Sequence, residues 1–148
     1  MGYSAAQRYH VPVDVGAATD LIDLNAAAGV MMTWVPAQKC RIYAFGGTYM
    51  EAVAAGGMST TTGVASMGYD KAGSTAEVEK STITPNVTTG QAIYTEQMGT
   101  DFAPFHCDGP AGDAIVFRVK TQAVGGTVTG EIRPFVIVEF FSNLDGVA

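Results

Sequence analysis

Hydrophobic and polar positions alternate with a period of two over most of the chain. In residues 8–15, Tyr9, Val11, Val13 and Val15 point one way and Arg8, His10, Pro12 and Asp14 the other. That is the pattern of a half-buried strand. Pro12 has no N–H for a ladder, which places this strand at a sheet edge or leaves it paired on one side only. Residues 19–24 read as a short strand, with one helical turn as the alternative. Residues 29–35 are apolar, carry Met31, Met32 and Trp34, and end at Pro36. In residues 40–45, Cys40, Ile42 and Ala44 alternate with Arg41, Tyr43 and Phe45. Gly46-Gly47 is expected to bend or turn the chain before residues 48–53 resume it.

Residues 54–76 are rich in Gly, Ala, Ser and Thr and read as a long loop, yet Ala65, Met67 and Tyr69 keep step and predict a strand within it. Residues 77–84 read as a charged strand or loop, Pro85-Asn86 as a turn and residues 91–97 as a short strand. Residues 101–113 read as loop. A strand follows over residues 114–121, with Ile115, Phe117 and Val119 on one face. A turn at Val124-Gly125-Gly126-Thr127 leads into a long strand over residues 127–141. There Val128, Ile132, Val136, Val138 and Phe140 share one face, and Phe135, Ile137 and Phe141 occupy part of the other. Apolar side chains on both faces imply burial on both sides or contact with another subunit. Pro134 suggests a bulge and Gly130 a second irregularity.

The period-two pattern contains no amphipathic helix of ten or more residues. Short strands with Gly and Pro turns roughly every 8–12 residues predict an all-β fold. The expected architecture is an antiparallel β-sandwich of jelly-roll type with few or no helices. Residues 8–148 form a single domain, and residues 1–7 a flexible N-terminal arm.

Composition narrows the function. Charged residues are only 15% of the 148, against a usual share of about 25%. Lys and Arg number 8 and Asp and Glu 14, for a net charge of −6. No basic patch for nucleic acid and no polybasic membrane anchor is expected from that balance. No window approaches the roughly 18 consecutive apolar residues of a spanning helix. The first ten residues lack the apolar core of a secretory signal. Cys40 and Cys107 fit neither a metal spacing nor a disulfide framework and read as reduced thiols in a core or interface, with a mutual bridge as the alternative.

Candidate chemistry is sparse. No phosphate-cradling glycine motif, no G-x-S-x-G and no H-E-x-x-H is present. His106-Cys107-Asp108 could supply a nucleophile or half a metal site. Neighbours in an extended segment point in different directions, however, so the cluster reads as a structural loop. Asp20 and Asp23 could form an acid–base pair but read as a solvated face. Trp34, Tyr43, Phe45 and Tyr49 could stack a sugar or base, and read first as core. No catalytic residue, cofactor or metal is expected, and the chain is not read as an enzyme.

What remains is contact. A neutral surface of small side chains suits large interlocking interfaces, and obligate interfaces are more apolar than ordinary surface. Tyr9-His10-Val11-Pro12-Val13-Asp14, Thr19 to Asn25, Cys40 to Phe45 and Pro110 to Lys120 with the Arg133-Pro134-Phe135-Val136-Ile137-Val138 close resemble the small virion proteins of tailed bacteriophages. The resemblance implies a capsid decoration, or cement, protein on the outer capsid surface, made in the host cytoplasm. It would bind the major capsid protein and itself, as a dimer or trimer, and stabilise the expanded head. Expected interface residues are Met1, Gly2, Tyr3, Ser4, Ala5, Ala6 and Gln7 of the arm, with Phe135, Ile137 and Phe141. The alternatives are another virion subunit (tail, fibre or head completion) and a carbohydrate-binding module using Trp34 or Tyr49.

Overall fold

Alternating sequence becomes paired strand over most of the described residues. The structure is a computed structural model and describes residues 8–14, 20–74 and 76–141. Its strands in chain order are β1 (Arg8–Pro12), β2 (Ile22–Asp23), β3 (Gly29–Trp34), β4 (Lys39–Glu51) and β5 (Val64–Asp70). They continue as β6 (Val78–Ile83), β7 (Glu96–Met98), β8 (Phe105–Asp108), β9 (Ala114–Thr121) and β10 (Glu131–Phe140). One 3-10 turn, Gly109–Ala111, joins β8 to β9.

The strands form two antiparallel sheets packed as a sandwich. One has the order β1-β10-β4-β7, with β2 beside β10 and β8 beside β4; the other has the order β3-β9-β5-β6. The pairs β1 with β10, β3 with β9, β4 with β7 and β5 with β6 describe one long hairpin rolled up on itself. That is jelly-roll topology, as the sequence predicted.

The core follows the alternation. Ile115, Phe117 and Val119 of β9 are at most 1% exposed, and Phe117 meets Phe45 of the opposite sheet with ring centroids 5.9 Å apart. Ile22 and Leu24 turn inward, so residues 20–24 contribute a short strand, Ile22–Asp23, rather than a helical turn. Pro12 lies on an edge strand, as expected. The strand expected within residues 54–76 is β5, and the charged segment after it is β6.

Three expectations are corrected. Gly46-Gly47 neither bends nor turns the chain: β4 runs straight through it. The glycines are there because a Cβ at Gly46 would overlap the Phe135 ring and one at Gly47 the Ile132 γ-methyl. Phe45 is on the same face as Ile42, not opposite it. The register shift between Ile137 and Val138 leaves Tyr43 as an extra residue in β4, which reverses the phase beyond it. Pro134 makes no bulge and sits in register opposite Gly47. Its carbonyl accepts from Val13 N–H at 2.9 Å, so its ring nitrogen faces the edge where β1 has already ended, and no β4 hydrogen bond is lost.

Two segments were misassigned. Ile93 and Tyr94, expected in a strand, form a turn in which Tyr94 has φ 64 and is 71% exposed. Only Glu96–Met98 of that region is strand. Conversely, the loop expected over residues 101–113 contains β8.

Candidate functional site

The two long sides of the sandwich are built differently. Along one side the sheets are joined. Thr100 N–H donates to Thr82 O at 3.0 Å, the Ser81 hydroxyl donates to Thr100 O at 2.8 Å, and Gln97 Nε2 donates to Thr84 O at 2.8 Å. Tyr49, wholly buried, extends this seam by donating its hydroxyl to Gln97 Oε1 at 2.5 Å. Burial holds the Tyr49 hydroxyl well above its ordinary pKa. The strands joined here are β6 and the end of β7, so β3 and β1 lie on the opposite side, where among the described residues no further strand pairs with their outer edges.

These two edges differ in chemistry. β1 carries Arg8, the polar His10 ring and Pro12, and charge and proline are devices with which natural sheets discourage edge pairing. β3 reads Gly-Val-Met-Met-Thr-Trp, with no charge and no proline. Among the described residues its protective feature is a register shift between Val30 and Met32. Val30 is 49% exposed, and Val35 just beyond the strand is 51% exposed.

The outer face of the larger sheet covers itself. Phe135 lies flat on Gly46 and under the His10 ring, 3.9 Å between centroids, and is only 2% exposed. Nearby, the Arg8 guanidinium stands 3.7 Å over the Tyr43 ring, whose hydroxyl donates to Glu139 at 2.5 Å. His10 Nε2 reaches Glu96 at 3.8 Å; both side chains are half-exposed, so the pair adds little. A partner on this face would meet His10 and the half-buried Ile137 rather than the Phe135 ring. Phe141 is half-buried against His106, with centroids 5.5 Å apart. The arm, Met1 to Gln7, lies outside the described residues.

The His106-Cys107-Asp108 run sits on β8, and its side chains diverge as an extended segment requires. Cys107 points inward at 1% exposure and His106 is exposed. Asp108 accepts from Ala111 N–H at 3.2 Å and so caps the 3-10 turn. Asp113, 5% exposed, gathers this end of the sandwich. It accepts from the Tyr69 hydroxyl at 2.6 Å, Ala72 N–H at 2.9 Å and Asp108 N–H at 2.8 Å. Burial alone would raise its pKa; these donors outweigh burial and hold the carboxyl below its ordinary value. Sequence patterning missed Asp113, whose only signal was its place after the Pro110-Ala111-Gly112 turn.

Opposite Cys107 in the β4–β8 ladder stands Cys40. Both are buried free thiols, as read from the sequence, and the structure brings them side by side.

The Asp20–Asp23 expectation changes. Asp20 is 6% exposed with φ 46, buried rather than solvated. Asp23 accepts from Asn25 N–H at 2.9 Å and faces Glu131, which in turn faces Glu51. Burial, then Glu51 and Asp23, raise the Glu131 pKa. Among the described residues, no three His, Cys, Asp or Glu side chains are grouped to hold a metal ion. Of the four aromatics, Phe45 and Tyr49 are core, and Trp34 and Tyr43 are half-buried. Compared with known protein families, curated proteins and solved structures, the chain matches none.

Proposed function

We propose that this chain is a structural adhesion subunit of a virion: a capsid decoration protein of a tailed bacteriophage that binds across major capsid protein subunits and to its own copies, as a dimer or trimer. It is made in the host cytoplasm and sits on the outer capsid surface. The observation that carries this reading is β3, a charge-free edge on the open side of a sandwich whose other side is joined. Strand addition to such an edge supplies backbone hydrogen bonds, and alternate side chains supply specificity. The phage assignment itself rests on the sequence resemblance. Fold-level analogy adds support, since jelly rolls recur in viral capsid proteins as well as in lectins and cupins.

The mechanism is mass action. A rigid domain that binds only the expanded shell lowers the free energy of that shell and of no other state. Every contact it makes across a subunit junction must break before the shell opens. Quantitative mass spectrometry of the purified particles encoded alongside this gene tests the reading. Hundreds of copies per particle are expected. A handful would favour a tail, fibre or completion subunit, and none would overturn a virion role.

One observation favours a carbohydrate-binding reading as second choice. Trp34 and Phe140 line an apolar depression of about 290 Å³ with Ala37 and Gln38. Tyr49, being buried, cannot serve as a stacking platform. Calorimetric titration with sugars, against a Trp34→Ala control, distinguishes this from the virion reading.

A further inference from the structure

We propose that Cys40 and Cys107 form a redox-sensitive modification site, in which a two-electron oxidant such as hydrogen peroxide closes a disulfide between β4 and β8. The ladder supplies the geometry. Phe141 N–H donates to Lys39 O at 2.9 Å, so Lys39 turns its backbone toward β10 and the next residue, Cys40, turns toward β8. Cys40 and Cys107 are direct partners in the β4–β8 register. They therefore form the hydrogen-bonded type of antiparallel pair, with Cα atoms roughly 5.5 Å apart. Disulfides accept Cα separations of about 4.4–6.8 Å, and this pair type falls within that range.

An approach exists. A depression of about 230 Å³ at this end of the sandwich is lined by Lys39, Cys40, Tyr69, Cys107, Asp113 and Phe141. The two cysteines are 0% and 1% exposed and lie behind this depression, so a peroxide-sized molecule reaches them only from its lining.

The two sulfurs have different roles. The Cys107 thiol donates a hydrogen bond to Cys40 and favours the Cys40 thiolate, which is lowered in pKa against the opposing effect of burial. The bond to Cys40, burial and the nearby Asp113 and Asp108 carboxylates all raise Cys107. The thiolate is the attacking form, and the lowered pKa favours Cys40 in that role. Its sulfur takes one peroxide oxygen to become a sulfenic acid, and the other oxygen leaves as water after gaining a proton. The Cys107 sulfur then attacks the sulfenic sulfur, the S–S bond forms and the hydroxyl departs as a second water. In sum, two thiols and one peroxide give one disulfide and two waters.

Such a bridge stays open in a reducing cytoplasm and closes in an oxidising medium. Closing it links positions far apart in sequence, the case in which a cross-link stabilises most in the chain-entropy account.

The test is to treat the full-length reduced protein with hydrogen peroxide and count alkylatable thiols by intact mass. The expected result is a monomer two hydrogens lighter, with both alkylation sites lost, restored by dithiothreitol, and with a raised urea midpoint. A sulfenic-acid trap should label Cys40 in Cys107→Ser, where no second thiol is left to resolve the sulfenic acid. Both thiols still alkylatable on unfolding, after peroxide treatment of the folded wild type, or oxidation giving only intermolecular dimers, would overturn the proposal even if the serine variants fail to fold.

Discussion

The joined side and the open side of this sandwich are made from the same kind of strand yet treat their edges in opposite ways. Where β6 approaches β7, the chain satisfies its own edge groups through Thr82, Thr100, Ser81 and Gln97. On the far side nothing of that kind joins β1 and β3 among the described residues. β1 relies on Arg8, His10 and Pro12, whereas β3 presents Val30 and Thr33 to solvent without a charge. An edge is a liability unless it is paired, covered or charged. The contrast teaches that stability resides in the core and the joined side; on the proposed reading, capacity for contact resides at β3.

That division can be broken or sharpened by substitution. The largest effect belongs to the core behind the joined side: Phe45→Ala should cost about 3–5 kcal/mol, read from urea unfolding midpoints. Next comes Asp113→Ala, which strands the Tyr69 hydroxyl and two backbone N–H groups and should cost about 3 kcal/mol. Because the folded pKa of Asp113 is depressed, its contribution is fully present above the unfolded value near 3.9 and is lost as pH falls through the folded one. Wild type should therefore lose stability on acidification through that window by more than Asp113→Asn does. A parallel acid dependence in both would contradict this role.

Smaller still, Ser81→Ala removes one rung of the seam and should cost about 1 kcal/mol in the same urea assay. Hydrogen exchange should show the loss as faster opening at Thr100. At the other extreme, Val30→Lys on β3 should change stability by no more than about 0.5 kcal/mol. Its effect should instead fall on attachment.

The sequence made some of this legible and hid the rest for physical reasons. Strands with a sustained inward series, such as Ile115-Phe117-Val119, declare themselves through alternation. So does the edge position of Pro12, because a missing N–H has few places to go. The bulge at Tyr43 could not be read, since one extra residue inverts the phase without altering composition. Phe105–Asp108 was hidden because a four-residue strand with one fully buried side chain, Cys107, offers no period to detect. Neither the Cys40–Cys107 contact nor the pairing of β6 with Thr100 has a local signal, because each joins segments brought together only by the roll of the chain. The uncharged edge was visible all along in Gly-Val-Met-Met-Thr-Trp, but only its place at the rim of a sheet gives it meaning.

The most direct test compares two exposed valines, one on each side. Val30→Lys on β3 and Val78→Lys on β6 change equally exposed side chains, 49% and 51%, in the same way. Each purified variant would be mixed with expanded heads lacking the protein, and occupancy measured by sedimentation and quantitative mass spectrometry. The account predicts that Val78→Lys occupies the heads as wild type does and that Val30→Lys does not. Equal occupancy by both variants, with both folded, would contradict it.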